Sequence, residues 1–303
     1  MAQRIGITGG TGFLGRHLSR RLLSRGHRVV VFTRSPERAR GGVPSEVRLE
    51  GWDPVDTPMP PARLDPLDAV VNLAGESLAG FLTPAKQRRA RTSRIASTRH
   101  LIEGWRQAAD PPRVLLSSSA VGFYGDTGDE TVTESSPSGT GFLADLCRDW
   151  EAAAAPAAPG SRLVTLRTGL PLHPGGGLLG VLLPFFRWGA GPVFGHGNQW
   201  MPWIHLEDWL DLVCFALDHE EVTGPLNLTA PAPVRNRELA GALGRALGRP
   251  VFLRAPAFLL RATFPKADDL LLSSQRVLPR KAEAAGFRFR FPELPAALAD
   301  LLD

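Results

Sequence analysis

The sequence predicts an α/β fold: a doubly wound parallel sheet followed by a smaller, mainly α-helical C-terminal region. Three observations lead there. Short Val- and Ile-rich runs alternate with helical periodicity from residue 4 to about residue 170. A glycine-rich turn joins the first apolar run to the first helix. From about residue 171 the alternation loosens into Gly/Pro/Trp-rich loops with two or three helices.

Taken in order, "RIGIT" (4–8) is a short apolar strand, and "FLGRHLSRRLLSRG" has a helical period ending at Gly26. The unbroken valines of "HRVVVFTR" (27–34) mark a strand buried on both faces. "EVRLEGWD" (46–53) and "LDAVVNLAG" (67–75) are the third and fourth strands, and a helix is predicted over 84–108. "RVLLSSSA" (113–120) is a fifth strand, "FLADLCRDWEAAAA" (142–155) a helix, and "RLVTLRTGL" (162–170) a sixth strand. Such alternation requires right-handed crossovers and places ligands at the carboxyl ends of the strands. The expected division is a nucleotide-binding domain over 1–225, its substrate-lining loops starting near 171, and a small C-terminal domain over 248–302.

Composition narrows the classes. Hydrophobic residues make up 43% and charged residues 21%, as in a soluble globular protein. "MAQRIGITGG" enters a strand at once, without the pattern of a secretory signal. "LLGVLLPFF" (178–186) falls well short of the roughly 20 residues of a membrane-spanning helix. Cys147 and Cys214 lie in apolar patterns without metal-ligand spacing, which reads as buried free thiols in a reducing, cytoplasmic setting. The formal charge is +5, yet the arginines are scattered, and the densest cluster, "KQRRARTSR" (86–94), reads as one solvated helix face. These features argue against nucleic acid and membrane as partners and for an anionic small ligand.

"ITGGTGFLG" (7–15) sets Gly9, Gly12 and Gly15 in a G-x-x-G-x-x-G array between strand and helix, with Thr11, Phe13 and Leu14 beside them. Glycines there allow a tight turn and close backbone approach to a pyrophosphate seated on the helix N-terminus. This is the signature of a Rossmann-type dinucleotide site. The end of the second strand sets the cofactor's flavour. Where an acid would bond a ribose 2′-hydroxyl, the chain has Thr33 and then Arg34, with Arg38 and Arg40 following. A guanidinium binds a 2′-phosphate that an acid would repel, so NADP(H) is expected in preference to NAD(H).

These motifs resemble the extended short-chain dehydrogenase/reductase superfamily, sugar-epimerase-like in form. "TGGTGFLG", "NLAG" (72–75), "SSSAVGFYG" (117–125) and "PWIHLEDW" (202–209) occur in the expected order across most of the chain. "GWDP", "NLAGES", "TSRIAST", "RTGLPLHPGGG", "GHGNQWMPWIH" and "LPRKAEAAGFRFRFPEL" further resemble epimerase/dehydratase-like proteins with a small C-terminal domain of unknown function. The resemblance implies that Asp53 contacts adenine, that Asn72, Leu73, Ala74 and Gly75 line the cofactor, and that Ser117, Ser118 and Ser119 approach the nicotinamide. A homodimer is the superfamily default.

The superfamily's Tyr-x-x-x-Lys pair belongs on the helix after the fifth strand. Its positions here are Phe142/Leu146 or Leu143/Cys147, with no phenol and no ammonium. Tyr124, the one tyrosine of the chain, lies instead in the loop after the triple serine. It is either a replacement acid working with Ser119 or an aromatic pocket wall with a structurally bonded hydroxyl. An unshifted phenol near pKa 10 is a poor acid–base group at neutral pH. Substrate candidates are Arg94 on the basic helix and Gln199, Trp203 and His205 in the 195–205 loop; no cluster has metal-ligand spacing. The sequence reading is an NADP(H)-dependent oxidoreductase or epimerase-like enzyme acting on an unidentified small polar molecule. Its alternative is a catalytically silent NADP(H)-binding sensor that acts through a partner.

Overall fold

The computed structural model describes residues 2–78, 80–157, 160–263, 266 and 268–302. Phe264, Pro265 and Ala267 of the expected C-terminal region lie outside the described residues. Seven strands form one parallel sheet: β1 (Arg4–Thr8), β2 (Arg28–Thr33), β3 (Arg48–Gly51), β4 (Ala69–Asn72), β5 (Val114–Ala120), β6 (Arg162–Thr168) and β7 (Gly224–Leu228). Their order is β7-β6-β5-β4-β1-β2-β3, so the chain reverses direction across the sheet between β4 and β1. A crevice opens at the carboxyl ends of strands at such a switch point.

Period-two alternation explains the layering. Val29 and Val31 of β2, Val71 of β4 and Leu116 of β5 join a core with Leu18 and Leu22 of α1 (Phe13–Ser24). Their strand neighbours Val30, Phe32, Val70 and Leu115 point the other way, onto Leu101 and Trp105 of α2 (Pro84–Gln107). Burying each such aliphatic side chain contributes roughly 1.5–3 kcal/mol, which is why both faces must be covered. Helix α3 (Phe142–Ala154) packs beside α2. After the sixth strand come α4 (Gly177–Arg187), α5 (Leu206–Asp218) and α6 (Asn236–Ala246), and α5 lays Trp209, Leu212 and Val213 on the α1 side of the sheet. Among the described residues no helix is long and apolar enough to cross a membrane.

Two expectations need correction. The sixth strand stops at Thr168, and Leu170–His173 instead pairs in parallel with Trp203–His205. The seventh strand, "GPLNL", had no sequence signal. It is five residues long, carries Pro225 and pairs only with β6, and an edge is where a sheet tolerates proline.

The C-terminal region contains α7 (Ala257–Thr263), α8 (Arg280–Ala284) and α9 (Leu294–Leu302). It is laced into the rest of the molecule. Leu253–Ala255 pairs with Pro192–Phe194, and Arg276–Val277 pairs with Thr131–Val132. Ala282 of α8 sits in the main core, while Leu294 and Leu298 of α9 pack with Trp203 and Leu243. Residues 269–275, between α7 and α8, are thereby carried over the crevice.

Candidate active site

A cavity of about 820 Å³ follows the carboxyl ends of β1, β2, β4, β5 and β6. One end is the glycine turn, where Gly9, Thr11, Gly12, Phe13, Leu14 and Gly15 form the wall. Gly9 has φ +67°, and a Cβ there would lie 2.5 Å from the Leu73 carbonyl oxygen. A Cβ on Gly15 would fall 2.5 Å from Gly10 Cα. Both positions therefore require glycine. Gly12 caps α1 without a side-chain hydrogen bond, and the first turn holds no acid. Unpartnered N–H groups at a helix start make a natural seat for an anion.

Thr33 and Arg34 line the next stretch, with Arg34 exposed. Arg40 is already committed, donating to the Val47 carbonyl at 3.0 Å. Asp53 does not line the cavity: its carboxylate folds back to accept from Val55 N at 3.0 Å, and Pro54 and Val55 form the wall in its place. Asn72 and Ser117 also lie behind the surface, each 1% exposed. Asn72 accepts from Thr8 Oγ1 at 2.6 Å and donates to Thr98 Oγ1 at 3.0 Å, so it joins β1, β4 and α2. Leu73, Ala74, Gly75, Ser118 and Ser119 reach the cavity.

Arg94 reaches it too, but its guanidinium donates to the Glu76 and Ala90 carbonyls and lies 5.0 Å over the Trp150 ring. Burial holds its pKa below the ordinary arginine value. Leu143, Leu146 and Cys147 of α3 all line the cavity, and of the two registers for a Tyr-x-x-x-Lys pair only Leu143/Cys147 has both members in the wall. Burial pushes the Cys147 thiol up to about 11, so it is no ready nucleophile.

The remaining candidates fall outside the wall. Tyr124 is 2% exposed; its hydroxyl donates to Asn227 Oδ1 at 2.7 Å and accepts from Arg167 Nη1 at 3.0 Å. Burial raises its pKa, so the phenol is both saturated and harder to ionise. Gln199 Nε2 donates to the Phe194 and Leu271 carbonyls, anchoring the 269–275 segment instead of facing a ligand. Trp203 is fully buried and donates to the Ala232 carbonyl. His205 is the N-cap of α5, its Nδ1 accepting from Glu207 N, and its ring lies tilted by 30° against Phe291 with centroids 4.0 Å apart. These residues build the frame of the loop.

The 195–205 loop does reach the cavity, through Trp200, Met201 and Pro202; what sequence reasoning missed is the wall from the C-terminal region, Asp269, Leu271 and Gln275. Of the two tryptophans in "QWMPW", Trp200 lines the cavity and Trp203 is buried in the core.

A family model, the NAD dependent epimerase/dehydratase family, matches residues 5–228. This chain belongs to that family. A second model, a domain of unknown function (DUF1731), matches residues 255–301. The family member Mb2239 of Mycobacterium bovis is 39% identical over 297 residues, covering 97% of this chain and 96% of that one. The epimerase family protein SDR39U1 of Bos taurus is 37% identical over 305 residues, with 99% of each chain covered. Human SDR39U1, crystallised with NADPH, superposes with a TM-score of 0.89 at 34% identity over 99% of both chains. The epimerase match spans the sheet and its glycine turn, and the second match supplies the cavity wall at 269–275.

Proposed function

We propose that this epimerase-family protein binds NADP(H) along the cavity and exchanges hydride with a small polar molecule held against its nicotinamide end. The observation that carries this reading is the continuity of one cavity from the glycine turn, past Arg34, to Ser119 and the wall at 269–275. In it the pyrophosphate sits on the N-terminus of α1, where backbone N–H groups and the helix dipole favour an anion. Arg34 meets the 2′-phosphate. Pro54 and Val55 flank the adenine, and the nicotinamide lies beside Ser118 and Ser119. The NADPH of the human relative supports the same cofactor here. When bound, the cofactor supplies hydride chemistry at the nicotinamide C4. The chain orients the substrate oxygen at Ser119 and excludes water with Leu143, Met201 and Leu271.

A second reading is a silent NADP(H) binder that signals through a partner. Leu143 and Cys147 favour it, because they supply neither the phenol nor the ammonium of the Tyr-x-x-x-Lys pair. One experiment separates the two. NADPH and NADH are titrated against the protein by nicotinamide fluorescence, and cofactor oxidation is followed with and without carbonyl compounds. Tight NADPH binding with carbonyl-dependent oxidation supports the enzyme; tight binding without oxidation supports the sensor; no binding removes both.

A further inference from the structure

Behind Ser119 lies a buried charged pair that the family resemblance did not anticipate. Ser119 Oγ donates to Glu151 Oε1 at 2.6 Å. Arg167 grips the same carboxylate with Nε on Oε1 and Nη2 on Oε2, both at 2.9 Å. The arginine side chain is 4% exposed and that of Glu151 is 16%. Arg167 is locked from the other side, 3.6 Å over the Phe123 ring and donating to the Tyr124 hydroxyl. Glu151 stands on the same stripe of α3 as Leu143 and Cys147, at the i, i+4, i+8 positions that face β5. Of the three carboxylates on this helix, Asp145 and Asp149 pair with Arg148 and Arg91, and Glu151, two turns beyond Leu143, is the one bonded to Ser119.

We infer that Ser119 and Glu151 form a proton relay that does the work of the missing phenol and ammonium. The inference rests on the hydride-transfer reading above. Its physical core is the direction of one hydrogen bond. A serine hydroxyl has one hydrogen and two lone pairs. At 2.6 Å from an anionic oxygen, that hydrogen is committed to Glu151 in a short charge-assisted bond. Ser119 therefore presents only lone pairs to the cavity, and it accepts from a substrate O–H instead of donating to a carbonyl. The resting site is built to receive a secondary alcohol.

The step balances. The carbinol C–H bond breaks and its hydrogen, with the electron pair, goes to C4 of NADP⁺. The substrate O–H proton passes to Ser119 Oγ as the serine's own proton passes to Glu151 Oε1. The products are a ketone, NADPH and a neutral Glu151 carboxyl; reduction runs the same path backward. Ser119 is the residue that touches substrate. Glu151 acts through it, and Arg167 fixes the carboxylate so that Oε1 stays aimed at the serine.

The test uses the full chain with NADP⁺ and three probes, cyclohexanol, 1-phenylethanol and UDP-glucose, followed by nicotinamide absorbance. Glu151→Gln keeps one acceptor oxygen toward Ser119 Oγ and Arg167 Nε, gives up the acceptor for Arg167 Nη2, and cannot take a proton. The expected result is a fall in kcat of roughly 10²–10⁴-fold with unchanged NADP⁺ Kd and probe KM, the range typical of a lost general base. Glu151→Asp, which keeps a carboxylate, recovers part of that loss. Glu151→Gln turning over at the wild-type kcat overturns the relay. Should that variant fail to fold, Ser119→Ala decides: the same loss of kcat supports the relay, and full kcat overturns it. Wild-type protein that turns over none of the probes removes the hydride-transfer reading and this inference with it, an outcome distinct from an active Glu151→Gln.

Discussion

Replacing Arg34 with alanine should separate the two nicotinamide cofactors. Arg34 is exposed at the mouth of the cavity, just past the end of β2, and no carboxylate is paired with it among the described residues. A unit charge pair at about 4 Å is worth about 1 kcal/mol in bulk water and about 4 kcal/mol near a protein surface. The guanidinium is open to solvent, so a value between these limits applies. A charge-assisted hydrogen bond is worth about 1.5–3 kcal/mol, which falls between those limits. Because each 1.4 kcal/mol is tenfold, Arg34→Ala should raise the NADPH Kd by about 10–100-fold. NADH carries no 2′-phosphate, and its Kd should barely move. Arg40→Ala is the matched control: its guanidinium is spent on the Val47 carbonyl, and NADPH selectivity should be retained. The assay is nicotinamide fluorescence at two salt concentrations, with the Arg34 effect shrinking at the higher one. Equal losses for NADPH and NADH would refute the placement of the 2′-phosphate.

Three further outcomes are expected. Gly9→Ala forces a side chain into a positive-φ position against the Leu73 carbonyl, so it should cost at least about 2 kcal/mol of stability and abolish NADPH binding, read by thermal melts and titration. Tyr124→Phe leaves Asn227 Oδ1 buried without its donor, so it should cost about 1–3 kcal/mol in urea unfolding while NADPH affinity stays at the wild-type value. Burial depresses the folded-state pKa of His205 below its ordinary 6.5, so the unfolded chain takes up that proton first. Stability should be complete above pH 6.5 and fall as pH drops below it; His205→Asn, which keeps an N-cap acceptor, should flatten this acid limb, and an unchanged slope would contradict the assignment.

The fold was legible because the strands that matter most are buried on both faces. Val29 to Val31 and Val70 to Val71 cannot be read as anything but interior sheet once helices alternate with them. The glycine turn was legible for the same kind of reason, since Gly9 and Gly15 have no steric alternative. What the sequence hid depends on distance. The 269–275 wall reaches the cavity through bonds such as Gln199 to Leu271, 72 residues apart, and no local period announces them. Gln199 looked like a ligand residue because it is polar in a loop of tryptophans; its amide is used to tie that loop down. Glu151 was passed over within a helix whose pattern fits an ordinary amphipathic face. Its partner Arg167 sits in β6, and only the packing of α3 on β5 and β6 brings Ser119, Glu151 and Arg167 together. Tyr124 drew attention as the one phenol, yet its role is set by Asn227 on an edge strand that left no trace in the sequence.

On the function proposed here, one cavity holds a phosphorylated dinucleotide with its reactive end at Ser119. A crystal structure of the protein grown with NADPH tests it most directly. The pyrophosphate is expected on the Gly9–Gly15 turn, the 2′-phosphate at Arg34, and the nicotinamide C4 within reach of a substrate oxygen bonded to Ser119. A nucleotide bound elsewhere, or bound in the cavity with its nicotinamide turned away from Ser119, would contradict it.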